Sequence, residues 1–388
     1  MSRATSQQRS LGALLTGLAP HLRSDRNLPA RIEELLRSDR RFGSTDRRLY
    51  RGALYAALRH LPWVEPRLAD PMAAAMWAAW LATDTPEASG IRAEAAAGLP
   101  PCPPDAAGRA RIMGADPDAM GPPWLAAECP AALSSPLCDT LLGRAPLWVR
   151  LQGDGEPQVP PEFAQLGWEC TRSPLVAGAL RLPQGAAVES TQAHRSGLVE
   201  VQDAGSQRVL LEARVPGPGR WLDACAGAGG KSLQLAFLLG REGRVVARDP
   251  RPEALARLRE RARRAGLSGR ITTGAGEEGP FDGVLVDAPC TGSGTWRRSP
   301  HLRWTTTPES IAAKARLQLR LLRENAPAVR PGGLLVYSTC SLCRSENERV
   351  VSAFLQAEGG FRAATPGRML YPEEHDGDGF FVATFTRG

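Results

Sequence analysis

Two short stretches of the chain place a cysteine directly after polar residues at the end of an apolar run. Cys290 follows Asp287-Ala-Pro in DAPCTGSG, and Cys340 follows Ser-Thr in YSTCSLC. A thiolate is a strong nucleophile, so such cysteines could carry covalent catalysis with Asp287 as a polar partner. A single cysteine is more often a small buried hydrophobe, but two in this setting favour a shared reactive site.

Zinc binding is a competing interpretation of the same cysteines. Four thiolates could come from Cys225, Cys290, Cys340 and Cys343. Only the last two have CxxC spacing, and no histidine is near that pair in the sequence. The pattern therefore favours catalysis, and we expect no metal.

A third chemistry-bearing stretch is the glycine-rich DACAGAGGKS at residues 223–232. Its Gly-Lys-Ser ending resembles a P-loop, but the first glycine of that template falls on Cys225. The dinucleotide template GxGxxG fails as well, because its third glycine falls on Ser232. What remains is a strand end, a tight turn and a helix, which lets backbone approach a ligand without requiring a pyrophosphate.

Asp249 lies 20 residues beyond Gly229, at the end of the next predicted strand. A carboxylate there can accept both ribose hydroxyls of a nucleoside, although Asp249 could instead cap the helix that starts near Pro250. A glycine loop plus this acid, without a phosphate signature, is typical of S-adenosylmethionine binding. Lys231 is one of only two lysines among 48 basic residues, by chance or because a compact ammonium is needed in the loop.

These residues lie in a stretch from residue 219 onward that alternates strands and helices. RWLDAC, RVVARD, ITT, FDGVLVDAP and GGLLVYSTC read as strands, GFFVATF as a last strand, and amphipathic runs lie between them. This alternation predicts an α/β doubly wound, mostly parallel sheet. Ligands bind such sheets at the carboxyl ends of the strands, so the cysteines and the glycine loop should share one cleft. Ser345 and Glu348 have capping-box spacing and predict a helix start.

The first part of the chain has a different pattern. Residues 1–85 have apolar residues at helical spacing, including the alanine-rich run Pro71–Ala82, which is shorter than the roughly 20 residues of a membrane span. Proline-rich segments at 98–108 and 120–124 predict a linker or irregular packing, and two short strands follow within 145–200.

Composition limits the classes of function. The chain has 388 residues, a net charge of +7 and eight cysteines, too sparse for a disulfide scaffold. The basic balance fits a polyanionic partner, and the polar N-terminus lacks the pattern of a secretory signal. We therefore expect a cytoplasmic protein that does not bind membranes.

Five motifs in this order, namely DACAGAGGKS, VLVDAPCTGSG, WRRSPHLRW, GGLLVYSTCSL and SENERVVSAFL, resemble the Nop/Sun family of RNA cytosine-5 methyltransferases, especially its RsmB-like bacterial members. The resemblance covers about residues 145–388, and FGSTDRRLYRGALYAALRHL is more weakly similar to a NusB-like domain. It implies a helical NusB-like RNA-binding domain with a proline-rich linker at 1–140, a small α+β, RRM-like subdomain at 141–210, and a Rossmann-like class I methyltransferase domain with a seven-stranded, mostly parallel sheet at 211–388.

The resemblance also implies roles for individual residues. Cys340 would add to carbon 6 of cytosine, Asp287 would bind the ring-nitrogen edge, Cys290 would assist product release, and Lys231 would lie near Asp287. The residues implied to bind S-adenosylmethionine are Cys225, Ala226, Gly227, Ala228, Gly229, Gly230, Lys231, Asp249 and Asp287. Arg297, Arg298 and Arg303 would contact RNA phosphates, unless they are solvated surface residues. We expect a monomer with RNA as its partner: ribosomal RNA first, with transfer RNA as an alternative substrate that the sequence leaves open.

The chain departs from the family pattern at two places. Ala228 stands where the family loop usually has proline, and Ala275 stands where an acidic residue near the adenine is expected, with Glu277 or Glu278 as substitutes. These changes leave open a different class of function, a ribosome-assembly or RNA-binding factor that keeps the fold and has lost catalysis. The retained Cys290, Cys340 and Asp287 argue for the enzyme.

Overall fold

The computed structural model describes residues 2–274 and 279–388, so Ala275, Glu277 and Glu278 lie outside the described residues. In chain order the α-helices are α1 (Arg3–Leu18), α2 (Leu28–Ser38), α3 (Ser44–Arg59), α4 (Leu61–Val64), α5 (Pro71–Leu81), α6 (Ser89–Ala95), α7 (Ala106–Met113), α8 (Leu125–Glu128), α9 (Leu137–Leu142), α10 (Gly155–Gln165), α11 (Gln192–Arg195), α12 (Ala204–Glu212), α13 (Gly230–Leu238), α14 (Pro252–Arg264), α15 (His301–Thr305), α16 (Pro308–Asn325), α17 (Glu348–Ala357) and α18 (Pro372–His375). The strands are β1 (Leu147–Leu151), β2 (Thr171–Arg172), β3 (Ala179–Leu182), β4 (Val199–Val201), β5 (Arg220–Asp223), β6 (Arg244–Ala247), β7 (Ile271–Thr273), β8 (Phe281–Asp287), β9 (Val329–Thr339), β10 (Phe361–Leu370) and β11 (Phe380–Arg387).

The chain divides into two compact units. A helical unit comprises Met1–Arg144 and Thr295–Pro308, and a second unit comprises Ala145–Gly294 and Glu309–Gly388. In the helical unit, α5 is the predicted buried helix: Asp70 caps its first turn by accepting from the backbone of Met72, and four of its five alanines, Ala74, Ala75, Ala78 and Ala79, are buried. Among the residues that the structure describes, no helix has the length and apolar character needed to cross a bilayer.

The proline-rich part of the helical unit is packed structure. Buried Ala106, Met113 and Met120 belong to the same hydrophobic core as α1 and α5, so this segment is irregular packing and not an exposed linker. The segment Thr295–Pro308 joins this core as well. The indole nitrogen of Trp304 donates to the carbonyl of Leu58 at 2.7 Å, so a stretch that the sequence assigned to the methyltransferase domain packs with the helices.

The second unit begins with a small four-stranded sheet. Its strand order is β2-β3-β1-β4, all antiparallel, with α10 after β1 and α11 after β3. This is the βαββαβ connectivity of ferredoxin-like folds. Its core contains Val149, Phe163, Leu180 and Val199, which are fully or almost fully buried.

The larger sheet confirms the predicted α/β class. Seven strands lie in the order β10-β11-β9-β8-β5-β6-β7. Neighbours from β9 to β7 pair in parallel, while β11 pairs antiparallel with both β9 and β10. The chain runs outward from β5 to β7 and then returns to β8 on the other side of β5. That reversal places a ligand crevice at the carboxyl ends of β5 and β8.

Two local predictions differ from the structure. The predicted capping box at Ser345 is wrong. Helix α17 begins at Glu348, and its N-cap residue is Asn347, whose side chain does not cap the helix. Glu346, inside the predicted box, is fully buried in another network. Strand β10 had no prediction because it is largely exposed, contains Pro366 and has register shifts against β11, so it lacks the apolar alternation of a strand.

Candidate active site

The glycine-rich loop between β5 and α13 is a tight turn. The amide of Gly229 donates to the carbonyl of Ala226 at 2.9 Å. Gly227 and Gly229 have φ values of +53° and +86°, which are costly for any residue with a Cβ atom. A Cβ atom at Gly229 would also lie 2.5 Å from Cγ of Leu258. Both glycines are therefore required by the conformation of the turn.

Asp249 is attached to this loop. Its carboxylate accepts from the amide of Gly227 at 2.9 Å and from the guanidinium of Arg251 at 2.9 Å. The bond from Arg251, together with backbone donors, lowers the pKa of Asp249. Helix α14 starts at Pro252 after Arg251 and has no side-chain cap, so Asp249 contacts the turn and does not cap the helix.

The strand end before the loop supplies a buried acid that the sequence analysis left without a role. Asp223 is 1% exposed and accepts a hydrogen bond from the hydroxyl of Ser232 at 2.7 Å. Burial raises the pKa of Asp223 to about 7. Asp223 lies at the carboxyl end of β5, beside the glycine turn, and that position in the sequence could have predicted it as a site residue.

Cys225 lies two residues beyond Asp223. Burial raises the pKa of its thiol to about 12. Within 2–274 and 279–388, no group of three or more His, Cys, Asp or Glu residues could hold a metal ion. The four cysteines considered for zinc therefore do not form such a group.

Lys231 lies in the first turn of α13, and only 8% of its side chain is exposed. Its ammonium donates to Asp287 at 2.9 Å and to the hydroxyl of Ser206 at 3.0 Å. The other carboxylate oxygen of Asp287 accepts from Ser338 at 2.6 Å, because Asp287 and Ser338 are register partners on β8 and β9. Asp287 is thus held on two sides at the carboxyl end of the sheet.

The two cysteines predicted to share a cleft do meet. Their Sγ atoms lie 3.3 Å apart, and each side chain is partly buried. The pKa of Cys290 is raised well above that of a free cysteine, mainly by the hydrogen bond with Cys340 and secondly by burial. Cys290 is therefore held as a neutral thiol beside the sulfur of Cys340.

A buried carboxylate joins the loops that carry these cysteines. Glu346 is fully buried and accepts from the backbone of Thr291 at 2.9 Å, from Ser341 at 2.6 Å and from Gln318 at 3.0 Å. Gln318 also donates to the carbonyl of Pro289 at 3.1 Å. Thr291 and Ser341 are each next to a cysteine. The sequence analysis missed Glu346, because nothing in its spacing from either cysteine predicts this contact.

The residues around the glycine turn fit S-adenosylmethionine. Apart from its chain neighbours and the backbone of its own helix, nothing lies within 4 Å of a Cβ atom built on Gly230, so the turn leaves open space there. Acids of the kind that bind a ribose and an ammonium group stand at its two ends, and in this conformation Asp249 is covered by Arg251 and Asp223 is buried against Ser232. The remaining loop residues Cys225, Ala226 and Ala228 contribute backbone between these two acids.

Two of the three arginines predicted to contact RNA are buried in the helical unit. Arg303 is 1% exposed and lies 5.0 Å from the ring of Trp296 and 5.3 Å from that of Trp304. Arg297 is 6% exposed and donates to the carbonyl of Arg144 at 2.9 Å. A buried guanidinium cannot contact a phosphate in this conformation, which corrects the prediction for both. Arg298 is exposed and stays a candidate.

Comparison with known proteins identifies the group to which this site belongs. Residues 214–386 match the family described as 16S rRNA methyltransferase RsmB/F. The "Probable ribosomal RNA small subunit methyltransferase B" of Bacillus subtilis (strain 168) is 34% identical over 250 residues, 58% of this chain and 56% of that protein. The ribosomal RNA small subunit methyltransferase B of Yersinia pestis bv. Antiqua (strain Angola) is 30% identical over 292 residues, 70% of this chain and 68% of that protein.

Solved structures agree at the level of the fold. The crystal structure of a protein called PH0851 superposes with a TM-score of 0.70 at 20% identity, covering 97% of this chain and 98% of that one. The matched region spans between about half and two thirds of the curated relatives.

Proposed function

The chain belongs to the RsmB/F family of 16S rRNA methyltransferases, and from this premise we propose that it is an S-adenosylmethionine-dependent RNA (cytosine-5) methyltransferase acting on 16S ribosomal RNA. The observation that carries the proposal is the pair of thiols, 3.3 Å apart, beside the Lys231–Asp287 pair. Carbon 5 of cytosine is a poor nucleophile, and a thiol next to a polarising carboxylate is what its activation requires.

Cys340 starts the proposed reaction. Its thiolate adds to carbon 6 of an unstacked cytosine, forming a carbon–sulfur bond and moving an electron pair toward carbon 5 and the ring nitrogen. The carboxylate of Asp287 accepts a hydrogen bond from the ring-nitrogen edge of the base. Lys231 and Ser338 each donate to this carboxylate and so fix its orientation. The glycine turn, with Asp249 and Asp223 at its ends, would hold S-adenosylmethionine, which would supply an electrophilic methyl group there.

Cys290 acts in the second half of the reaction. Water takes the proton from carbon 5, the double bond to carbon 6 re-forms, and the carbon–sulfur bond breaks with its electron pair staying on Cys340. The neutral Cys290 thiol, 3.3 Å away, can protonate the departing sulfur and then regain a proton from solvent. Cytosine thereby exchanges one proton for one methyl group, and the proton is released to solvent.

Bisulfite sequencing of RNA from a strain that lacks the gene tests the proposal at single-nucleotide level. We expect one or a few cytosines in 16S rRNA to lose protection and to regain it when the wild-type gene is restored. Loss of protection in transfer RNA alone would replace ribosomal RNA with the alternative substrate. Unchanged protection in all RNA would overturn the proposal.

The non-catalytic alternative has its own test. Retention of Cys290, Cys340 and the held Asp287 supports the enzyme, because a binding factor needs neither thiol. Titration calorimetry with S-adenosylmethionine separates the two: heat of binding supports the methyltransferase, and no binding at millimolar cofactor supports an RNA-binding assembly factor.

A further inference from the structure

The peptide carbonyl of Ala228 is held by a side chain from outside the turn. The guanidinium of Arg261, on α14, donates to this carbonyl at 2.6 Å. Ala228 lies between Gly227 and Gly229, both with positive φ. Glycines lose more conformational freedom on ordering than other residues, so a peptide flanked by two of them is easily displaced unless it is bonded. Arg261 supplies that bond.

Arg261 is itself fixed by a buried acid of the small sheet. Glu200, on β4, is 2% exposed and accepts from Nε of Arg261 at 3.1 Å and from its terminal nitrogen at 2.9 Å. Arg264, one turn further along α14, also donates to Glu200. Two bonds from one guanidinium fix its plane, so the third donor of Arg261 points in a set direction.

We propose that Arg261 is a positioning residue for the methyl-donor loop, and that Glu200 couples the small sheet to the affinity of this loop for S-adenosylmethionine. The proposal deepens the proposed function and rests on its cofactor. When Arg261 holds the Ala228 carbonyl, the turn is ordered before the ligand arrives, and binding does not have to order it. The hydrogen bond from Arg261 therefore restrains the peptide carbonyl of Ala228.

The chain offers a matched pair of variants for the test. Arg261→Met removes the bond to Ala228 and keeps the apolar stem of the side chain, while Arg264→Met removes a bond to Glu200 and leaves the loop contact intact. Both remove one positive charge from the same face of α14. Only the loss of Arg261 should change cofactor binding.

The measurement is titration calorimetry of the full chain with S-adenosylmethionine. We expect Arg261→Met to weaken binding roughly tenfold, the range for a charge-assisted hydrogen bond, and Arg264→Met to change it less than about twofold. Arg261→Lys keeps one donor and should recover part of the loss. Equal affinity in Arg261→Met and wild type, or equal weakening by both Met variants, would overturn the proposal.

A kinetic measurement separates positioning from general destabilisation. Arg261→Met should raise KM for S-adenosylmethionine and leave KM for RNA and kcat at saturating cofactor near the wild-type values. A parallel fall in kcat and in both affinities would instead indicate a structural role and contradict the proposal. Wild-type protein that binds the cofactor but methylates no cytosine would remove the proposed function alone, whereas wild-type protein that binds no cofactor would remove both.

Discussion

The cofactor loop and the two cysteine loops lie at the same edge of the large sheet and are held in opposite ways. The cofactor loop after β5 is shaped by the positive φ values of Gly227 and Gly229. Long arginine side chains hold it from outside: Arg261 donates to the carbonyl of Ala228, and Arg251 donates to Asp249, which contacts the turn. The cysteine loops after β8 and β9 are joined by short side chains around the buried Glu346. A loop that must admit a ligand leaves its backbone open, whereas a nucleophile needs a fixed position relative to its target.

The difference predicts where substitutions act on the chemical step and where they act on binding. Changes at the cysteine loops should lower kcat or stop the reaction part of the way. Changes at the cofactor loop should alter affinity or the pH dependence of folding. The four predictions below test this division, beginning with the largest expected effect.

Replacing Cys340 by alanine should abolish methyl transfer, by on the order of 10⁴-fold or more, because carbon 5 is then not activated. The measurement is transfer of labelled methyl groups to 16S rRNA. Cys343→Ala is the control, since Cys343 is a fully buried cysteine in the same loop whose Sγ lies 3.6 Å from the hydroxyl of Ser293. Undiminished turnover by Cys340→Ala would reject the thiol mechanism.

Replacing Cys290 by alanine should stop the reaction after covalent addition, because no neutral thiol then assists the departure of Cys340. We expect an RNA–protein complex that survives denaturing electrophoresis and is absent from the Cys290→Ala/Cys340→Ala double variant. A Cys290→Ala protein that turns over at the wild-type rate without such a complex would show that the 3.3 Å contact has no part in release.

Replacing Glu346 by glutamine should lower kcat roughly 10- to 100-fold and the free energy of unfolding by about 1–3 kcal/mol, because an amide cannot accept from all the donors around it. Glu348→Gln changes the same charge at an exposed position two residues away and serves as the control. If Glu346→Gln loses stability but keeps kcat, the network holds the fold and does not place the cysteines.

Replacing Asp223 by asparagine should change how stability depends on pH. The pKa of Asp223 is raised from 3.8 to about 7 in the folded protein, so the folded state binds an extra proton between these values. Its contribution to stability is therefore lost as pH rises from about 4 to 7, by an amount on the order of a few kcal/mol. Denaturant unfolding at pH 5 to 8 should show a smaller decline in Asp223→Asn, and an equal decline would contradict the raised pKa.

Much of the fold could be predicted because local patterns specify it. The strands β5 to β9 are short apolar runs between amphipathic helices, and β7 was predicted with the same bounds. The edge strand β10 and the start of α17 could not be predicted. Neither follows from a local pattern: β10 pairs with the following strand β11 through an irregular register, and the loop before α17 is set by burial of Glu346 against Gln318, 28 residues away.

The site was partly predictable for the same reason. Parallel strands bring their carboxyl ends to one edge, which placed Cys290 near Cys340 and the glycine turn near Asp249. The arginines of WRRSPHLRW were misjudged because arginine is usually exposed, although the two tryptophans that Arg303 contacts, Trp296 and Trp304, are the first and last residues of the same motif.

The sequence by itself therefore determined the sheet, the turn and the pair of thiols, since each follows from periodicity, glycine positions or strand ends within a few residues. Tertiary structure alone decided which groups restrain them: Ser338 and Lys231 on Asp287, Glu346 between the cysteine loops, and Arg261 on Ala228. Apart from the contact of Glu346 with Ser341, five residues away, those contacts join residues tens of positions apart along the chain. Their geometry is set by strand register and helix packing, which a local pattern does not encode.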